Sequence, residues 1–209
     1  SVECMFDSLV ASTAGTSGAG AVESWSRVES AACARRVAAM AGIRLPISTY
    51  ALQAFVTEPY RPVLRGLVSS MDLYVYVSQT ARGELLVGAE VLPYPTYSTR
   101  STFGFLSEAA KRTIQILPFT RTARALRQWT GLCDMTPDYS PIIGPTSVGG
   151  FYVDVGWGTY GFKAAPIVGK TLAELVDTGR TPELIAPFRL ERFYEDRLVS
   201  ELAAAAVSH

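Results

Sequence analysis

An α+β fold built on an antiparallel sheet is predicted from three features of the sequence. Residues 73–78 (LYVYVS) alternate valine with tyrosine or serine. Residues 84–91 (ELLVGAEV) follow across a short polar turn, which is the pattern of a β-hairpin. Residues 103–117 place apolar side chains at helical spacing and stop before Pro118. Late in the chain a short apolar run, Phe151–Val155, leads through glycines into a second helical stretch over 162–176 that ends near Gly179. Strands in the middle with a strand–turn–helix unit after them give the α+β class.

The remaining elements are read in the same way. Residues 51–58 form a strand that stops at Pro59. Residues 123–129 suit either a short helix or a strand. Glycine, aspartate and proline punctuate 131–141, which reads as loop, with Pro141-Ile142-Ile143-Gly144 as a short buried strand. Residues 183–192 read as loop and 193–206 as a terminal helix. Residues 1–35 differ from the rest: rich in Ser, Ala and Gly, they show neither period. Their Gly18-Ala19-Gly20 is followed by Ala21-Val22-Glu23 and lacks the third glycine of a dinucleotide fingerprint.

Composition excludes several classes. With 209 residues, 48% of them hydrophobic, the chain is long and apolar enough to bury a core. Nineteen basic residues balance nineteen acidic ones, with no basic block, so no nucleic-acid partner is expected. No apolar run approaches the ~20 residues of a membrane helix, so no membrane association is expected. The one histidine, His209, is the last residue, which removes Ser-His-Asp chemistry and histidine metal clusters. Cys4, Cys33 and Cys133 lack CxxC spacing, so we expect no metal site, no disulfide framework and a cytoplasmic location. Cys133 is expected simply to pack.

Chemistry concentrates in Val155-Gly156-Trp157-Gly158-Thr159-Tyr160-Gly161-Phe162-Lys163. Glycines let the backbone approach a ligand and adopt positive φ. The N–H groups and dipole at the following helix start favour an anion. Lys163 in the first helical turn opposes that dipole, which suits a lysine that meets an anion there. The residues alone leave a second reading open, a plain strand-to-helix turn with a solvent-facing lysine. Residues 164–171 (AAPIVGKT) mimic a phosphate loop but lack its first glycine and lie in the helical stretch.

Taken in order, DMTPDYSPIIGP, FYVDVGWGTYGFK, a helix ending LVDTG, and APFRLERF resemble the C-terminal half of FAD-dependent amine oxidases of the D-amino-acid oxidase superfamily. VAAMAGIRLPI, LQAFVTE, VYVSQTARGELLVGAE and the final AAAAVSH carry the resemblance to the β-subunit family of heterotetrameric sarcosine oxidases. The resemblance implies noncovalent FAD over Gly156, Gly158, Thr159, Gly161 and Phe162, with backbone amides at the flavin N1/C2=O edge. It implies that Lys163 binds the substrate carboxylate. It implies oxidative demethylation of sarcosine to glycine, the one-carbon unit passing to tetrahydrofolate or formaldehyde and the electrons passing through FMN to give hydrogen peroxide. The implied partners are the other sarcosine oxidase subunits and a small amino-acid substrate.

The departures from the family pattern also shape the expectation. The GxGxxG strand that holds the FAD pyrophosphate is missing, and so is the histidine that links FMN. Gly131 stands where monomeric relatives attach FAD through cysteine, and Leu86 where they carry an oxygen-activating lysine. The expected organisation is an unrelated or disordered segment over 1–35, a substrate-binding domain over 36–145, and over 146–209 the C-terminal part of an FAD-binding domain, a partial Rossmann-like strand–helix unit. The chain looks like about half a subunit, truncated or frame-shifted, with an unpaired edge on Phe151–Val155 and poor solubility alone. Alternatives are a noncatalytic truncated subunit or interaction module, or another amino-acid oxidase of the same superfamily.

Overall fold

The structure, a computed structural model, describes residues 8–12, 25–29, 33–89 and 92–199. Its elements in chain order are β1 (Ser8–Ser12), β2 (Trp25–Glu29), α1 (Ala34–Met40), β3 (Ser48–Pro59), β4 (Val68–Ser70), β5 (Val75–Gln79), β6 (Glu84–Ala89), α2 (Phe103–Ile116), β7 (Ala125–Met135), β8 (Ile142–Pro145), β9 (Phe151–Val155) and α3 (Gly161–Thr178). Short 3-10 turns cover Pro118–Thr122, Ala186–Phe188 and Leu190–Phe193. The mixture of helices with antiparallel sheet is the predicted α+β class. The described residues fall into two compact units, one within 50–132 and one combining those up to 49 with 133–199, so the division falls inside β3 and β7.

The first unit is a sheet in the order β4-β5-β6-β3-β7 with α2 packed on β5 and β6. Cross-strand register explains its core. Val77 stands opposite Val87, and Val87 opposite Phe55, so an apolar row crosses three strands on one face. That row joins Val75, Leu85, Ala89 and Ala109 of α2 in one buried cluster. Each side chain of this kind contributes about 1.5–3 kcal/mol when fully buried. Helix α2 begins where the Thr102 hydroxyl accepts from the Phe105 amide at 3.2 Å. The cap is itself held: buried Gln53 accepts from the Thr102 amide at 2.8 Å and from Gln128 Nε2 at 3.0 Å. At the opposite end of the hairpin, Gln79 accepts from the amides of Val63 and Leu64 and donates to the carbonyls of Tyr60, Arg61 and Gly83. One amide side chain thus anchors the whole 60–64 loop.

The second unit is an antiparallel sheet in the order β2-β1-β9-β8. Successive residues of β8 feed two different cores, as the period of two requires. Ile142 joins Ala34, Ala38, Ile43, Leu45, Ile47, Val153, Val155 and Leu190. Ile143 joins Val168, Leu172 and Leu175 of α3, with Ile185. The sheet is therefore covered on both faces, by the 34–47 segment on one and by α3 on the other.

Several expectations need correction. Residues 131–135 are not loop: they complete β7, because Cys133 and Asp134 are buried and tertiary packing overrides the turn-forming composition. Of the expected terminal helix, Phe193 closes the 3-10 turn Leu190–Phe193 and residues 194–199 are not helical. Asp196 takes the left-handed φ of 54°, and the Val199 amide goes to the Asp138 carboxylate instead of a helical carbonyl. The rest of the expected terminal helix lies outside the described residues. Strand β9 has no unpaired edge, since β1 and β8 flank it. Cys133 is fully buried, as packing requires, and is also disulfide-bonded. Helix α1 and strand β4 went unread. Of the compositionally distinct 1–35 segment, residues 8–12 and 25–29 form strands, and Ala34 is buried in one core with Ile142 of β8 and Val153 and Val155 of β9.

Candidate functional site

The turn from β9 into α3 is built by two glycines that no other residue replaces easily. Gly156 has φ 75°, and a Cβ there would stand 2.6 Å from Thr136 Cγ2. Gly158 has φ 54°, and its Cβ would stand 2.8 Å from Met135 Sδ. Both conformations belong to the left-handed region that side chains resist. The turn is also stitched to the end of β7. Trp157 bridges to Met135, and the Gly158 amide donates to the Asp134 carbonyl at 3.0 Å. The Trp157 indole donates to Asp154 Oδ1 at 2.6 Å, and the Tyr160 amide donates to the Trp157 carbonyl at 3.0 Å. Asp134 in turn accepts from the Thr49 hydroxyl.

Tyr160 precedes α3 without a side-chain cap, and the first turn carries no acidic residue. The positive end of the helix dipole is thus not neutralised by a carboxylate of its own first turn, a state suited to an anionic group. Of the six predicted site residues, Gly156 and Gly161 are buried in the backbone turn, while Thr159, Phe162 and Lys163 are exposed. Phe162 is 78% exposed, a high value for a large apolar side chain at a helix start. Lys163 Nζ lies 4.5 Å from the Tyr160 ring centroid, where a cation–π contact steadies it beside the turn. All six fall in one continuous stretch, as read from the sequence. The mimic over 164–171 lies inside α3 with Lys170 exposed, so it forms no phosphate loop.

A cluster that sequence reading missed lies behind the turn. Arg192 and Asp138 form an ion pair with side chains 1% exposed, Nε to Oδ2 at 2.8 Å and Nη2 to Oδ1 at 3.0 Å. Arg192 also donates to the carbonyls of Ser140 at 2.8 Å, Phe188 at 2.8 Å and Arg189 at 3.2 Å. Asp138 accepts further from the Ser140 and Val199 amides. Burial alone would raise the Asp138 carboxyl. Hydrogen bonds from Arg192 and from the Val199 amide, with the Arg192 charge, outweigh it and hold the group below the usual carboxylate range. The residues were visible in the TPD and LERF motifs, but nothing in one sequence pairs positions 54 apart.

Among the described residues no group of His, Cys, Asp and Glu could hold a metal, and no helix is long and apolar enough to cross a membrane. A cavity of about 760 Å³ whose walls include Ile143, Pro145, Arg189, Arg192 and Val199 contains none of the predicted site residues.

Comparison with known proteins agrees with the motif order. A family described as FAD dependent oxidoreductase (DAO) matches residues 16–175, and so includes part of the segment set apart by composition. The β subunit of sarcosine oxidase from Rhodobacter capsulatus is 43% identical over 173 residues, 83% of this chain and 42% of that protein. The corresponding subunit from an Arthrobacter species is 42% identical over 173 residues, 83% of this chain and 43% of that protein. Among solved structures, L-proline dehydrogenase from P. horikoshii superposes with a TM-score of 0.75 at 32% identity, covering 80% of this chain and 46% of that one. The chain thus spans about two fifths of the length of the curated relatives it matches.

Proposed function

The chain belongs to the DAO family of FAD-dependent oxidoreductases, and from that premise we propose that it carries part of the flavin and substrate site of a sarcosine-oxidising enzyme. The observation that carries this reading is the start of α3, reached through two left-handed glycines and carrying no side-chain cap and no acidic residue in its first turn, in a chain 43% identical to a sarcosine oxidase β subunit. The residues fit one edge of a flavin. Backbone donors at the start of α3 would face the N1/C2=O edge, where reduction places negative charge, with Gly156, Gly158, Thr159, Gly161 and Phe162 lying against the flavin while the Gly158 amide stays on the Asp134 carbonyl. Bound noncovalently, FAD would supply hydride acceptance from the N-methyl carbon of the amine.

The chain's own part is binding and orientation. Lys163 would hold the substrate carboxylate, fixing which carbon faces the cofactor. The first unit, Tyr50–Leu132, would serve as substrate-binding domain and the second as part of the FAD-binding domain. FMN and further sarcosine oxidase subunits would complete the electron path in the assembled enzyme, in the cytoplasm.

Mixing the flavin-loaded protein with sarcosine without oxygen tests the reading. Bleaching of the flavin band by sarcosine, at lower concentration than by proline or glycine, is the expected result. A second reading, oxidation of a cyclic secondary amine, is favoured by the 32% identity to L-proline dehydrogenase, and preferential bleaching by L-proline would establish it instead.

A further inference from the structure

Arg192 stands well apart from the β9–α3 turn in sequence, yet an unbroken chain of contacts joins them. The Ser140 carbonyl oxygen is the link. It accepts from Arg192 Nη2 at 2.8 Å and from the Thr136 hydroxyl at 2.7 Å. With its hydroxyl so held, Thr136 has one rotamer, which turns its Cγ2 methyl against Gly156, where a Cβ would meet it at 2.6 Å.

The geometry points to Arg192 as a positioning residue for the ligand-facing turn, acting through Ser140 and Thr136. The inference rests on the proposed role of that turn. Three features set this network apart from ordinary core packing. All five guanidinium N–H groups are used, two on Asp138 and three on carbonyls. A planar fork of this kind fixes direction as well as distance, which lysine does not. Tyr139, between the two residues that Arg192 grips, is held at φ 57°, a left-handed conformation that persists only where its neighbours over-determine it. The same grip fastens the chain's last described residue, since the Val199 amide reaches Asp138 and the Ser140 hydroxyl reaches the Val199 carbonyl.

The consequence is that the Gly156–Gly158 backbone owes its placement to a residue that touches no ligand. Loosening Arg192 frees the Ser140 carbonyl, then the Thr136 rotamer, and then the turn.

Amide exchange at Gly158, whose N–H donates to Asp134, reports the turn directly and without flavin. It is measured by NMR in the full chain carrying Arg192→Lys or Thr136→Val. Valine keeps the methyl shape and loses only the hydroxyl bond. Both variants are expected to exchange Gly158 about tenfold faster, while the protected amides of the β8–β9 ladder stay unchanged. Both are also expected to weaken FAD binding about tenfold. Unchanged Gly158 exchange in Thr136→Val overturns the inference, and so does an equal acceleration across the ladder, which marks a merely structural role. If Arg192→Lys does not fold, Thr136→Val decides. If the wild-type chain binds no FAD, the functional reading fails while the exchange arm still decides the coupling.

Discussion

The Arg192 guanidinium and the Asp138 carboxylate meet fork to fork at 2.8 and 3.0 Å with their side chains 1% exposed. A charge pair removed from water in this way is stable only because every remaining donor and acceptor is matched. Removing one partner strands the other. Arg192→Met is therefore expected to lower the unfolding free energy by about 3–5 kcal/mol, read by urea denaturation. A loss below about 1 kcal/mol would show that water relieves the buried carboxylate.

The same pair gives the protein an acid limit. Asp138 is held below its ordinary range, so the folded state binds its proton less readily than the unfolded chain does. Its contribution is present above the unfolded carboxylate value of about 3.9 and is lost as pH falls through the lower folded value. The stability difference between wild type and Asp138→Asn should hold constant from neutral pH down to about 5, then shrink below about 4. Thermal melts of both proteins across that range check the sign. A difference that grows in acid would mean the folded-state shift runs the other way.

Much of this architecture was legible in the sequence wherever one local rule dominated. The alternation in 73–78, the helical spacing of α2 and the glycine-marked turn into α3 each depend on near neighbours. The failures share a different cause. Gly131 and Asp134 look like loop residues, but Asp134 finds the Thr49 hydroxyl 85 positions away and the strand runs on. Residues 193–199 look helical, but the Asp138 carboxylate takes the Val199 amide from 61 positions away. The six site residues were readable because they are contiguous. The network behind them was not, because its partners come from opposite ends of the second unit's later segment.

Gly156 and Gly158 should differ in how badly they tolerate a side chain. At Gly156 alanine meets both the left-handed φ and the Thr136 methyl, which is locked by its own hydrogen bond. The expected loss is about 1–3 kcal/mol of stability, accompanied by loss of flavin retention. At Gly158 the obstacle is the flexible Met135 side chain, so only the strain of φ 54° remains, about 1 kcal/mol. Denaturation midpoints of the two alanine variants test the order. Equal losses would mean that the Thr136 contact relaxes without cost.

Lys163 should act on substrate and leave the fold alone. Its side chain is exposed and rests on the Tyr160 ring. Lys163→Met is expected to leave the melting temperature and flavin retention unchanged, and to raise the sarcosine concentration needed for bleaching by about tenfold or more. A variant that loses flavin but bleaches normally once reloaded would reassign Lys163 to the cofactor.

The central claim is that the β9–α3 turn of this chain holds a flavin edge. The visible absorption spectrum of the purified chain, incubated with FAD and then desalted, tests it most directly. Retention of a flavin band, lost in Gly156→Ala, is the predicted result. A colourless wild-type protein after desalting would contradict it, and would mean that this chain alone does not retain the cofactor its family is named for.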